Sequence, residues 1–224
     1  MLILENLLNL TNFQMSEIII FKKKIKDFNK KISMSGDKSL SIRWVLLSSV
    51  ASGTSRAYNL LMSEDVFAAI DSIKKLGINV NIYKSYCEIH GKGLSGYKIK
   101  NNLTINAKNS GTLGRLILGL LVNSTKTIKI IGDKSLSKRD FRRVTEPLKK
   151  FGVNCKLNKN TGLPLTITGS SQLKPINYLE NRGSAQCKSS IIFAALRTPG
   201  TTYIKAKKSR NHTELLCKYL KLPV

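Results

Sequence analysis

Ser39, Gly111 and Gln186 stand at equivalent points of three similar stretches, 72 and 75 residues apart. A repeat of that length restricts the chain to a fold built from copies of one unit. Each copy opens on a small-residue turn and continues as an apolar helix, a β-rich stretch, a polar loop and a second helix. In the first copy the turn is Ser35-Gly36-Asp37-Lys38-Ser39 and the helix spans 40–51. A Gly53-Thr54 turn, a strand over 56–61 and a helix ending at Lys75-Leu76-Gly77 follow. The second copy opens at Asn109-Ser110-Gly111-Thr112, with a helix over 113–122, a strand over 126–131 and a loop over 132–139. Its second helix ends at Lys150-Phe151-Gly152. The third opens at Gly183-Ser184-Ala185-Gln186, with a helix over 187–196, a strand over 201–206 and a helix from His212.

Gly77 and Gly152 lie 75 residues apart, each where a helix C-terminus calls for positive φ. Paired strands are expected after each, over 78–83 with 86–90 and over 153–157 with 165–168. The unit is therefore roughly βαβαββ, an α/β (α+β) arrangement present in about two and two-thirds copies. The third copy stops at Pro223-Val224, where its paired strands are due. Backbone N–H groups at a helix N-terminus favour anions. Plain N-capping explains any one of the three Gly/Ser/Thr-rich openings. Three in phase, each beside a basic or amide side chain, point to one concave anion site.

The charge agrees with an anionic ligand, since 38 basic against 13 acidic side chains leave +25. Lysine outnumbers arginine 29 to 9 and is scattered, except in Phe21-Lys22-Lys23-Lys24-Ile25-Lys26. Aromatic residues are only 7%, too few to interleave with the basic ones as in base-reading modules, so nucleic acid is not the expected partner. Cys87, Cys155, Cys187 and Cys217 are far apart and accompanied by only two histidines, so neither a metal site nor a disulfide framework is expected. No apolar run reaches the length of a membrane span. A cytoplasmic protein with buried free thiols is the expectation.

Six blocks carry a resemblance. Gly36-Asp37-Lys38-Ser39-Leu40-Ser41-Ile42-Arg43 resembles the N-terminal signature of the 5-enolpyruvylshikimate-3-phosphate synthase family, the 3-phosphoshikimate 1-carboxyvinyltransferases. The same family's pattern continues in Ser63-Glu64-Asp65-Val66, in Asn109-Ser110-Gly111-Thr112-Leu113-Gly114-Arg115 and in Gly132-Asp133-Lys134-Ser135-Leu136-Ser137-Lys138-Arg139. It ends in Ser184-Ala185-Gln186 and Arg210-Asn211-His212-Thr213-Glu214. Asp140 stands where the family usually has proline, and Ala185 points to the bacterial Ser-Ala-Gln subgroup.

The resemblance implies transfer of the enolpyruvyl group of phosphoenolpyruvate to the 5-hydroxyl of shikimate 3-phosphate, releasing phosphate. It implies a two-domain fold, each domain made of three βαβαββ units, and no metal or organic cofactor. Residues 1–30 would be a leading segment that contributes to the other domain. Residues 31–224 would be one domain, in units of about 31–100, 101–175 and 176–224. The absent second domain would be the partner of this one, in a monomeric full-length enzyme. Lys38 would lie between both substrates as the catalytic cation. Ser39, Arg43, Ser184, Ala185 (by its backbone), Gln186 and Arg210 would hold shikimate 3-phosphate, and Gly111, Arg139 and Gln186 would line the phosphoenolpyruvate site. Asp65 would be a site carboxylate or a helix-dipole partner, and Asn109 a site residue or a helix cap. His212 and Glu214 would fix the third loop. The family's proton-transfer carboxylate lies in the other domain, so the chain alone is expected not to turn over.

Two rivals remain. The related UDP-N-acetylglucosamine enolpyruvyl transferases open on Lys-Asn and use a loop cysteine, whereas this chain has Lys38-Ser39 and no cysteine in such a loop. A basic RNA-binding module built from βαβαββ units is the alternative from another class, and steep salt dependence of RNA binding would mark it.

Overall fold

The computed structural model describes Ile20, Lys22 and residues 29–224. The chain divides into Met1–Met34 and Ser35–Val224, and every described helix and strand lies in the second part. The expected leading segment, 1–30, falls almost wholly outside the described residues.

The first unit runs α1 (Lys38–Val50), β1 (Ser52–Tyr58), α2 (Glu64–Lys75), β2 (Asn79–Ile82) and β3 (Tyr86–Lys92). The second runs β4 (Thr104–Asn106), α3 (Gly111–Leu120), β5 (Ile128–Ile131), the single turn α4 (Lys134–Ser137), α5 (Arg142–Lys150), β6 (Asn154–Asn158) and β7 (Gly162–Thr168). The third runs β8 (Asn177–Glu180), α6 (Ala185–Ala195), β9 (Tyr203–Ala206) and α7 (His212–Tyr219). Each unit has its own sheet, ordered β1-β3-β2, β4-β5-β7-β6 and β8-β9. Among the described residues, only the second unit shows the whole βαβαββ pattern.

The first helix of each unit carries apolar or small residues on all faces, and α1, α3 and α6 are correspondingly buried almost throughout. The second helices, α2, α5 and α7, keep an exposed charged side. Helix α3 packs along α6 and beside α1, while α7 closes on both α1 and α6. Gly77 and Gly152 take the positive φ expected after α2 and α5, at 86° and 100°. The equivalent residue after α7 is Lys221 at φ 53°, a lysine in the same left-handed cap.

Two local expectations are corrected. The Gly53-Thr54 turn is strand, because β3 offers an antiparallel partner from Lys92 (opposite Ser52) to Tyr86 (opposite Tyr58), and the ladder carries the glycine with it. Helices α1, α3 and α6 begin two residues earlier than periodicity suggests. Asp37, Ser110 and Ser184 accept the N–H groups of Leu40, Leu113 and Cys187, and so start each helix before its first apolar residue. That shift puts Lys38, Gly111 and Ala185 at the first helical position, and Ser39, Thr112 and Gln186 at the second.

The four cysteines are free and buried. Burial pushes the thiol pKa of Cys155 and Cys187 up to about 12 and of Cys217 up to about 11, and raises that of Cys87. Only the thiolate is a good nucleophile, so the folded chain is expected to resist a disulfide reagent at pH 8 and to react at all four sites once denatured. Rapid reaction of any one in the folded chain would contradict this packing.

Candidate functional site

The starts of four helices meet. A cavity of about 300 Å³ is lined by Ser39 and Arg43 of α1, Thr112 of α3, and Ala185 and Gln186 of α6. Gly183 and Ser184 line it just before α6, and Ser209, Arg210 and His212 at the start of α7. All six residues expected from the motifs to hold one ligand, besides Lys38, are here: Ser39, Arg43, Ser184, Ala185, Gln186 and Arg210. Thr112, Gly183, Ser209 and His212 are additional. His212 was expected only to fix its loop.

Arg43 is only 3% exposed. Its Nε donates to Thr213 Oγ1 at 2.7 Å, Nη2 to Ser189 Oγ at 3.0 Å and Nη1 to the Ser39 carbonyl at 3.0 Å. Burial lowers its pKa, opposed by Glu214 and Asp37, yet guanidinium remains the charged form at neutral pH. Gln186 crosses to the second unit, where Nε2 donates to Thr112 Oγ1 at 3.1 Å and Oε1 accepts from Arg115 Nη1. Amide and hydroxyl are thereby fixed in opposite senses.

Arg115 closes the Asn109–Arg115 motif and carries no expected role. It is 7% exposed, lies over the Phe141 ring and donates Nη2 to the Asp140 carbonyl. Burial, and then repulsion by Arg143 and Arg139, pushes its pKa down to about 10. Among the described residues, no carboxylate forms an ion pair with Arg43, Arg115 or Arg139. The positive charge beside Gln186 thus lacks a direct ion-pair partner, which favours an anionic visitor.

Gly111 and Arg139 belong to this second group. A Cβ on Gly111 would come within 3.1 Å of Arg139 Nη1 and 3.2 Å of Arg115 Nη1. Arg139 Nη2 donates to Asn109 Oδ1 at 3.1 Å, and Asn109 Nδ2 donates to Asp133. Asn109 is thus a bridge to Arg139 and not a helix cap, since Ser110 one residue later has the correct offset for Leu113. Asp140 accepts the backbone N–H and the guanidinium of Arg142, and that bond holds its carboxyl below the usual range.

Lys38 does not line the cavity. Its ammonium pairs with Asp65 at 3.1 Å and remains about half exposed. Asp65 lies in the first turn of α2 and is the partner of Lys38. Glu214 pairs with Lys188, which ties α7 to α6. Glu180, buried at 2% exposure, had no sequence signal. Its two oxygens accept the N–H groups of Arg182 and Ser184 and shape the turn into α6. Among the described residues, no group of three or more His, Cys, Asp or Glu side chains could hold a metal ion, and no helix is long and apolar enough to cross a membrane.

The sequence profile of the EPSP synthase (3-phosphoshikimate 1-carboxyvinyltransferase) family matches residues 22–224. The chain belongs to this family. It is 41% identical over 189 residues to the 3-phosphoshikimate 1-carboxyvinyltransferase of Streptococcus mutans, covering 84% of this chain and 44% of the relative. The Bacillus subtilis enzyme of that name is 39% identical over 195 residues, covering 85% and 45%. A solved EPSP synthase from Acinetobacter baumannii superposes with a TM-score of 0.79 at 33% identity, over 84% of this chain and 43% of that one. The chain therefore spans less than half the length of the EPSP synthases that it matches, and its fold corresponds to one domain of them.

Proposed function

We propose that residues 31–224 form one wall of an enolpyruvyl transferase site in the cytoplasm, that residues 1–30 belong with the second domain, and that the cavity takes shikimate 3-phosphate. The reading rests on one observation: Ser39, Arg43, Ser184, Ala185, Gln186 and Arg210, drawn from three motifs, converge on a single cavity. Three of Arg43's five N–H groups are used within the protein, leaving one on each terminal nitrogen as a fork for an oxyanion. Ser184 Oγ accepts from Cys187 N–H and keeps its own proton to donate. Arg210, exposed at the rim, closes on the same ligand.

Phosphoenolpyruvate belongs on the Arg139, Gly111 and Gln186 side, with Lys38 contributing to both substrates. In the reaction, the 5-hydroxyl gives up its proton and its oxygen bonds to C2 of phosphoenolpyruvate as C3 gains a proton. Loss of phosphate and a C3 proton from that adduct then restores the double bond. The fixed cations bind charge that both substrates already carry and steady what shifts between them. The partner of this wall is the remainder of a full-length enzyme, which supplies proton transfer and excludes water.

Shikimate 3-phosphate added to the isotope-labelled chain is expected to shift the amide resonances of Ser39, Ser184, Gln186 and Arg210 together, with weak affinity. Shifts confined to scattered surface lysines would overturn the assignment. Mixed with the unmatched remainder of the Bacillus subtilis relative, the chain should release phosphate only when both substrates are present. Release at a full-length enzyme's rate by the chain alone would refute the need for a second wall.

A further inference from the structure

The guanidinium of Arg43 is oriented by a chain of hydroxyls whose proton directions can be derived. Ser189 Oγ donates its only proton to the Ala185 carbonyl at 2.7 Å. The 2.6 Å contact between Ser189 Oγ and Thr213 Oγ1 must then be donated by Thr213. Having given its proton away, Thr213 Oγ1 is purely an acceptor towards Arg43 Nε, as Ser189 Oγ is towards Nη2. The order of donation is Arg43 to Thr213, Thr213 to Ser189, and Ser189 to the first residue of α6. Thr213 and Ser189 are 0% and 1% exposed, so no water substitutes for either hydroxyl. Neither touches the cavity.

We propose that Thr213 is a positioning residue for the anion site. It stands immediately after His212 and three residues after Arg210, both at the cavity. The segment that brings Arg210 to the ligand thus also sets the plane of Arg43, 170 positions away in sequence. Without the Thr213 acceptor the guanidinium can rotate about its stem, and the two N–H groups left for the ligand lose their common direction. The inference rests on the reading of the cavity as the shikimate 3-phosphate site.

Thr213→Val keeps the shape and removes the hydroxyl, whereas Thr213→Ser keeps the hydroxyl. In the 224-residue chain, the Arg43 Nε–H resonance, assigned by its loss in Arg43→Lys, is expected to exchange slowly in the parent and in Thr213→Ser. In Thr213→Val it should exchange rapidly or vanish. Shikimate 3-phosphate affinity should fall about tenfold in Thr213→Val and stay within about twofold in Thr213→Ser, the size of one charge-assisted hydrogen bond. Added to Arg43→Lys, which has no Nε–H to orient, Thr213→Val should cost no further affinity. An equal loss in that background would mean general loosening and would overturn the proposal, as would a protected Arg43 Nε–H in Thr213→Val. If the parent chain binds no shikimate 3-phosphate, the assignment of the ligand fails, and the Arg43 resonance still decides the positioning role. Should Thr213→Val not fold, Ser189→Ala removes the neighbouring acceptor. It is expected to give the same Arg43-dependent loss of affinity, and an undiminished affinity would count against the proposal.

Discussion

Arg43→Ala is expected to reduce shikimate 3-phosphate binding by at least about 100-fold while lowering the melting temperature by only a few degrees. The binding loss follows from removing two charge-assisted hydrogen bonds made by a buried guanidinium, each contributing about 1.5–3 kcal/mol. Stability changes less because two effects oppose. Deletion leaves Ser189 and Thr213 short of a donor and opens a void beside α7. It also removes a desolvated cation that burial already disfavours, as the lowered pKa of Arg43 indicates. Arg43→Lys should fall between the two, since an ammonium keeps the charge without the planar fork. Calorimetric titration beside thermal unfolding separates the two effects. Affinity within fivefold of the parent in Arg43→Ala would remove Arg43 from the site.

Gly119→Ala is expected to be the most disruptive single methyl in the buried helices. Its Cβ would lie 2.2 Å from the Ser190 carbonyl oxygen and 2.9 Å from Phe193 Cβ, so α3 and α6 would have to part. They are not free to do so. Ser190 Oγ donates to the Arg115 carbonyl at 3.0 Å, and further along the same pair of helices Gln186 holds Thr112 and Arg115. Overpacking of this kind costs about 1–3 kcal/mol and more where backbone must move, roughly 5–10 °C for a chain of this size. Because the first turns of α3 and α6 both line the cavity, affinity for the ligand should fall in parallel. Gly114→Ala on the same helix is the comparison. Its nearest neighbours are side chains, Ala107 Cβ at 3.3 Å and the Phe141 ring at 3.5 Å, so the loss should stay below about 1.5 kcal/mol. Equal melting temperatures for the two variants would show that the α3–α6 contact is looser than described.

What could be read from the residues was whatever neighbours in sequence decide. The repeat was legible because each unit reuses one order of turn, apolar helix and strand, although the helix starts equate Ser39 and Gln186 with Thr112, one residue beyond Gly111. The caps after α2 and α5 were legible because glycine relieves a local steric conflict at positive φ. The cap after α7 was not, since Lys221 adopts the same conformation without that signature. Six blocks of motif in order named the family and six of the residues that share the cavity.

Tertiary structure decided the rest, because the deciding partners lie far along the chain. Gly53 and Thr54 have turn chemistry, yet β3 draws them into a ladder, with Gly53 opposite Gly91. Asn109 has capping chemistry, yet Arg139 and Asp133 take up its amide. Lys38 and Asp65 find each other, and Arg115, without an ion-pair partner, meets Gln186. Thr213 shows the limit most clearly. Nothing local distinguishes it from any other threonine in the first turn of a helix, and only the packing of α7 on α1 and α6 brings its hydroxyl against Arg43. Helix starts and stops are short-range choices that a sequence displays, whereas the direction of a buried guanidinium depends on which distant acceptors survive desolvation around it.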